Sequence, residues 1–320
     1  MLELTTLDAI QRAADRLKNV VIHTPLVPLH SYETDQGVML KPETLQPVGS
    51  FKLRGVFNAV ASLSREQRQR GISTISAGNT AQALGWTARY FGVPARSVLP
   101  DSVPASKLEA IKSYGVKPII LPYEECISYI REHGWEREPY TFIHPWFNYD
   151  LRAGNGTIGL EIIADQPDVD TVYVPVGGGG LICGVGSALK ELKPSVRVVG
   201  VTPEACPALY GSFQAGKVVE MTMGETICDG VAVPMITEEM FPLLRKVVDD
   251  VVLVPEKEVK KAIKHLALRN KLIVEGAGAL SVAAAVREPL EERGKTVCLL
   301  TGSSINVDKL VAILTDAGLN

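Results

Sequence analysis

Residues 171–190 read TVYVPVGGGGLICGVGSALK: a run from Thr171 to Val176 that is apolar on both faces, four consecutive glycines at Gly177, Gly178, Gly179 and Gly180, and then an apolar helical pattern through Leu181, Ile182, Val185 and Leu189. A strand without polar alternation is one covered on both faces, which is the habit of parallel strands flanked by helices. Ordering four glycines in succession is entropically expensive, so the turn calls for a cause. Glycine lets successive N–H groups, together with the positive end of the following helix, approach a phosphate closely. A tight turn or a close backbone contact would use the same residues. The run matches neither the Walker A nor the G-x-G-x-x-G pattern well, so it points to a phosphate without saying whose.

The same grammar recurs on either side. Gly71–Ile75 leads into Ser76-Ala-Gly-Asn79 and a helix from about Ala81 to Tyr90; Thr296–Leu300 leads into Thr301-Gly-Ser-Ser304 and a last helix. Further strands are expected at 117–121, 196–201 and 251–254, and a helix over 256–270 with Val259, Ile263 and Leu266 inward and Lys257, Lys260, Lys261 and Lys264 on a solvated face. Strands alternating with helices place the chain in the α/β class, where ligands bind at the carboxyl ends of strands. The length of 320 residues suits about two domains. Residues 63–140 carry strand and helix units of their own and read as a small domain inserted into a large discontinuous one, 1–62 and 141–320.

Composition removes several classes of function. Lys plus Arg number 33 and Asp plus Glu 36, a formal charge of -3 without blocks of like charge, which gives no reason to expect nucleic acid or an anionic membrane as partner. Thr171–Leu189 is uncharged, but Pro175 and six glycines disqualify it as a membrane span. The opening MLELTTLDAIQRAADRL carries early acids and the helical spacing Leu7, Ile10, Ala14, Leu17 rather than a secretory leader. Five widely spaced cysteines, with no C-x-x-C pair, read as reduced thiols of a cytoplasmic protein.

Three more segments can carry chemistry. In Pro47-Val-Gly-Ser-Phe-Lys-Leu-Arg-Gly55, Lys52 opens a helix between apolar Phe51 and Leu53. Burial and the helix dipole lower the pKa of such an amine and suit it to Schiff-base chemistry, although a surface lysine on an amphipathic helix is the commoner meaning of the pattern alone. Ser76-Ala-Gly-Asn-Thr80 offers N–H groups and hydroxyls to an anion such as a carboxylate, or simply caps a helix. Thr301-Gly-Ser-Ser304 is a second hydroxyl-rich turn with the same two meanings.

Taken together, PETLQPVGSFKLRG, SAGNTAQA, FIHPW followed by RAGNGT, PVGGGGLICG and VEGAGAL stand in the order and approximate spacing of the fold type II pyridoxal 5'-phosphate enzymes. The chain resembles their threonine/serine dehydratase (threonine ammonia-lyase) and serine racemase branch over nearly its whole length, from His23 to Asp308. The resemblance implies a tryptophan synthase β-like fold, two three-layer α/β domains with mostly parallel sheets, in a homodimer. It implies that Lys52 holds pyridoxal 5'-phosphate as a Schiff base and then removes the Cα proton. Phe51 would pack on the pyridine ring, Gly177–Gly180 and Leu181 would bind the phosphate, Asn79 the ring 3'-oxygen, and Thr301 or Ser303 would face the ring nitrogen. Ser76, Ala77, Gly78 and Thr80 would hold the substrate carboxylate, with Trp146, Gly230 and Glu275 in the substrate pocket. The implied reaction is β-elimination from L-threonine or L-serine, ending in a 2-oxo acid and ammonia.

Some positions depart from the family's pattern. The usual SAGNH ends here in Thr80, as in threonine and cysteine synthases; the residue after His144-Pro145 is Trp146 rather than Phe; and TGSSIN replaces a shorter SGGN turn. These changes leave open a bulkier β-hydroxy amino acid or a threonine synthase-like replacement, the latter disfavoured by Leu53, where the synthases carry Asp. Ala77 stands where the racemases have a second hydroxyl, and Thr202, Cys206 and Ala208 stand where they have an acidic metal pair, so neither racemisation nor a divalent metal is expected. The length corresponds to the catalytic core, so feedback through an appended amino-acid-binding domain is not expected either. A non-catalytic phosphate binder is the alternative outside enzymes; retention of Lys52 speaks against it.

Overall fold

A computed structural model describes residues 2–30 and 37–319. The strands are β1 (Val27–Pro28), β2 (Val38–Pro42), β3 (Ile72–Ile75), β4 (Ala95–Pro100), β5 (Val116–Leu121), β6 (Thr141–Phe142), β7 (Thr171–Pro175), β8 (Arg197–Pro203), β9 (Asp250–Val254) and β10 (Thr296–Leu300). The α-helices are α1 (Leu7–Leu17), α2 (Lys52–Ala61), α3 (Arg65–Gln69), α4 (Asn79–Phe91), α5 (Ala105–Ser113), α6 (Tyr123–Arg131), α7 (Tyr149–Asp165), α8 (Gly180–Leu192), α9 (Ala208–Ala215), α10 (Phe241–Val247), α11 (Glu256–His265), α12 (Gly276–Ala285), α13 (Leu290–Arg293) and α14 (Val307–Thr315).

Two sheets result, one of six strands in the order β1-β2-β10-β7-β8-β9 and one of four in the order β5-β4-β3-β6. Every pairing is parallel except that of β1 with β2 at an edge. The apolar runs are buried on both faces. Val172, Val174, Val297 and Leu299 pack toward α8 and α10, whereas Tyr173, Cys298 and Leu300 pack toward α11 and α12, the period-two division expected of pleated strands. The small sheet shares a third core with α2 and α4, which includes Leu53, Val56, Ile72 and Leu84.

Strand order explains where a site can form. From β7 the chain steps outward through β8 and β9, then returns to place β10 on the other side of β7. From β3 it steps through β4 and β5, then places β6 on the other side of β3. Each reversal opens a crevice beyond the carboxyl ends of the two diverging strands. The turns at those ends are Gly177–Gly180 after β7, Thr301–Ser304 after β10, Ser76–Gly78 after β3 and His144–Trp146 after β6.

The N-terminal helix buries Ala9, Ile10, Ala13 and Leu17, so its inner face lies slightly round from the expected Leu7-Ile10-Ala14-Leu17 stripe. The expected helix over 256–270 is α-helical to His265 and continues as a π-helix over Leu266–Asn270 that ends at Lys271 with φ +59°. Among the described residues no helix is long and apolar enough to cross a membrane, and all five cysteines are buried and free.

Candidate active site

The four turns meet at one cavity of about 260 Å³. Its lining includes Phe51, Lys52, Ser76, Ala77, Gly78, Asn79, Thr80, Trp146, Gly177–Gly180, Leu181, Gly230, Glu275 and Thr301. Of the sequence-predicted site residues, Ser303 is the one placed outside. Its Oγ donates to Gly49 O at 3.0 Å and its N–H bonds to the same carbonyl. The longer TGSSIN turn instead presents Ser304 to the cavity. Of the two hydroxyls named from the sequence, Thr301 is the one on the cavity wall.

Lys52 is the first residue of α2. An antiparallel bridge between Ser50 and Gly302, and a bond from Phe51 N–H to Thr301 O at 3.0 Å, tie the approach to this helix to the end of β10. Two residues on, Arg54 is fully buried and donates from Nε and Nη2 to both oxygens of Glu43 (2.7 and 2.8 Å) and from Nη1 and Nη2 to both oxygens of Glu161 (2.6 and 2.9 Å). Lys41, also fully buried, lies 2.6 Å from Glu161. Two carboxylates held by a guanidinium and an ammonium form a compensated interior network that locks the first turn of α2. Although part of Lys52 opens on the cavity, burial lowers its amine from the usual 10.5 to about 8, against the weaker opposing pull of the Glu275 carboxylate. An amine so desolvated has a substantial neutral, nucleophilic fraction near neutral pH.

The glycine loop makes the close backbone contact that was one of its two expected meanings. A Cβ on Gly178 would lie 2.8 Å from Trp146 Cδ2, and one on Gly180 would lie 2.9 Å from Trp146 Cα, so the loop is pressed against this tryptophan. Gly179 has φ +89°, a conformation that only glycine adopts readily. The first backbone bond into α8 runs from Cys183 N–H to Gly179 O. Among the described residues, no backbone or side-chain acceptor meets the N–H groups of Gly177–Gly180 or Leu181. A row of unengaged donors at the positive end of a 13-residue helix is the donor set a phosphate needs.

At the amino end of α4, Ser76 N–H is engaged by Ser97 Oγ and Val98 O, and Gly78 N–H by Ser76 Oγ. Ala77, Asn79 and Thr80 keep unengaged N–H groups among the described residues, so fewer donors are open to an anion than the motif implies. Asn79 Nδ2 donates to Glu275 Oε1 at 2.9 Å, and Ser304 Oγ donates to Asn79 Oδ1 at 2.6 Å. Glu275 is 6% exposed, and burial raises its pKa. Gly302 makes room for this pair: a Cβ there would lie 2.6 Å from Glu275 Oε1 and 2.9 Å from Asn79 Nδ2.

Sequence reasoning missed Lys107, Asp229, Gln82 and Asn155, which also line the cavity. Lys107 of α5 pairs with Asp229 across the cavity wall. Nothing in a linear sequence links charges 122 residues apart, and Gln82 and Asn155 are ordinary helix residues until the fold aims them. His144, buried behind the cavity, accepts from Phe147 N–H at 3.2 Å, and desolvation lowers its pKa from 6.5 to about 4. Among the described residues no cluster of three or more His, Cys, Asp or Glu could hold a metal. A desolvated lysine, an aromatic ring beside it and an unengaged anion cradle in one cavity fit a cofactor with a carbonyl, a flat ring and a phosphate.

Comparison with known proteins agrees with that donor set. The sequence profile of the family described as "Pyridoxal-phosphate dependent enzyme" matches residues 17–302. The chain is 40% identical over 315 residues to the L-threonine ammonia-lyase of Geobacter sulfurreducens, covering 97% of this chain and 78% of that one. It is 37% identical to the L-threonine dehydratase catabolic TdcB of Staphylococcus aureus, with 99% and 94% covered. Among solved structures it is similar to maize serine racemase, at a TM-score of 0.89 and 32% identity, with 97% and 96% covered.

Proposed function

The chain belongs to the pyridoxal-phosphate dependent enzyme family, and from that premise we propose that it deaminates L-threonine or L-serine by β-elimination of the hydroxyl, yielding a 2-oxo acid and ammonia. The observation that carries this reading is the placing of Lys52, with its amine lowered to about 8, in one cavity with the unengaged donors of the glycine loop. The bound cofactor supplies an electron sink that acidifies the substrate's Cα proton. Lys52 holds the cofactor and is the base for that proton. Gly177–Gly180 and Leu181 would bind the phosphate, Phe51 would lie beside the ring, and Thr301 would supply a neutral hydroxyl to the ring nitrogen, an environment that favours prompt elimination. Asn79, held by Glu275 and Ser304, would orient the ring edge. Ala77, Asn79 and Thr80 offer N–H groups to the substrate carboxylate, and Ala77 contributes no hydroxyl that could return a proton to the opposite face, so elimination is favoured over racemisation.

The proposal extends to organisation. Residues 63–140, built on most of the four-stranded sheet, form the small domain that carries the carboxylate turn, and the remainder forms the large cofactor domain. The buried free thiols suit a cytoplasmic location. A homodimer is implied by the family and is checked by light scattering.

The test is a screen of L- and D-β-hydroxy amino acids for release of 2-oxo acid and ammonia by the yellow holoenzyme. L-threonine or L-serine should lead, and Lys52→Ala should lose both the turnover and the borohydride-reducible label on the protein. Full activity in Lys52→Ala would sink the mechanism.

A further inference from the structure

Asn155 lies on α7 between two glycines that lock its backbone in place. A Cβ on Gly154 would sit 2.4 Å from Arg54 O of α2, and one on Gly156 would sit 3.0 Å from Gly184 O of α8. The side chain therefore projects between the helix that carries Lys52 and the helix that follows the glycine loop. Asn155 is 1% exposed, lines the cavity and has a buried Oδ1 with no hydrogen-bond partner among the described residues. That oxygen is turned against α2, 2.6 Å from where a Cβ on Gly55 would stand. A buried amide oxygen without a partner is rare in a native fold, and the orientation that leaves it so fixes where the donor end of the amide points.

With Oδ1 turned to α2, the donor end of the amide is left for the cavity. Lys52 and the glycine loop, whose N–H groups are donors too, line the same cavity. Donors converging on one space are mutually stabilised only by an acceptor with several lone pairs. We infer that Asn155 is a side-chain ligand of the cofactor phosphate, completing with Nδ2 the cradle whose other donors are backbone N–H groups. This rests on the reading of the cavity as a pyridoxal 5'-phosphate site. The chemistry required of Asn155 is that of an uncharged donor to a multi-oxygen anion, and its task is affinity and placement of the phosphate.

The experiment compares the wild-type apoprotein with Asn155→Leu and Asn155→Asp, measuring the dissociation constants of pyridoxal 5'-phosphate and of pyridoxal, the ³¹P signal of the bound phosphate, and the melting point of each apoprotein. Leu shares the branched shape of Asn, is larger, and removes an unsatisfied buried oxygen, so the overpacking and the relief offset each other and apo Asn155→Leu should melt close to the wild type. It should nevertheless bind pyridoxal 5'-phosphate at least tenfold more weakly, with pyridoxal changed less than twofold and the ³¹P signal displaced. Asn155→Asp, which sets a carboxylate against the phosphate, should be weaker still. Unchanged affinity for pyridoxal 5'-phosphate in Asn155→Leu overturns the inference. So does an equal loss for both ligands, which would place the amide on the Lys52 amine or in a merely structural role. Should the wild type itself fail to bind pyridoxal 5'-phosphate, the functional reading falls first; binding by the wild type with no selective loss in the variants removes only the role of Asn155.

Discussion

Lys52 and His144 are both bases that burial makes reluctant to carry a proton, and each gives a pH prediction. For Lys52, capture of pyridoxal 5'-phosphate by the apoprotein requires the neutral amine, so the rate should rise with pH and level off above about 8. An unperturbed lysine would keep climbing toward about 10.4, and stopped-flow absorbance distinguishes the two. For His144, the folded pKa of about 4 lies below the unfolded value of 6.5, so the unfolded chain binds more protons between them. The stability that His144 contributes is complete above about 6.5 and is lost as pH falls toward 4. His144→Asn should reduce the difference in urea stability between pH 7 and pH 5. At Gly178 the determinant is space: Gly178→Ala pushes a methyl group into the Trp146 ring and should destabilise the fold by roughly 1–3 kcal/mol, the usual cost of overpacking, with weakened cofactor binding as the functional readout.

At the scale of elements, the strands at 171–175 and 296–300 could be read closely from sequence because they are apolar on both faces and end in glycine or hydroxyl turns. Helix α4 begins at Asn79, two residues earlier than expected, because Gly78 accepts from the N–H groups of both Ala81 and Gln82. The first turn of α2 was legible as a helix start, but not as the lid of a charge network. Nothing local to SFKLRG says that Arg54 will meet Glu43 and Glu161. Arg54→Met should leave the Glu43 carboxylate buried without a cation, while Glu161 keeps Lys41, at a cost of about 3–5 kcal/mol, measured by urea unfolding of the apoprotein. Lys52 should then be misdirected, so cofactor retention should fall as well.

On the scale of the whole molecule, two parallel sheets turn their points of strand-order reversal toward one cavity, and Lys107 and Asp229 pair across its wall. Both side chains are more than a third exposed or nearly so, at 34% and 43%, so the pair contributes at most about 1 kcal/mol to stability. Lys107→Ala should therefore leave the urea midpoint almost unchanged but raise KM, and added salt should raise the wild-type KM in the same direction. Because the cavity exists only in the folded chain, the cofactor at one hundred times its dissociation constant should stabilise the protein by about 2.7 kcal/mol, visible as a rise in melting temperature.

The sequence by itself determined the α/β class and the places of the glycine and hydroxyl turns, because strand apolarity, glycine runs and hydroxyl-rich turns are local properties that the backbone must obey wherever it lies; Lys52 is singled out by the resemblance of the combined motifs, not by its local pattern. The tertiary structure decided which of those turns share a space. It set Thr301 and Ser304 on the cavity and Ser303 away from it, engaged the N–H groups of Ser76 and Gly78 within their own turn, and brought Glu275 to Asn79 across 196 residues of chain. It also left Asn155 Oδ1 without a hydrogen-bond partner among the described residues. The physical reason is common to all of these: desolvation and hydrogen bonding depend on what is packed alongside, and packing joins residues that are far apart in sequence.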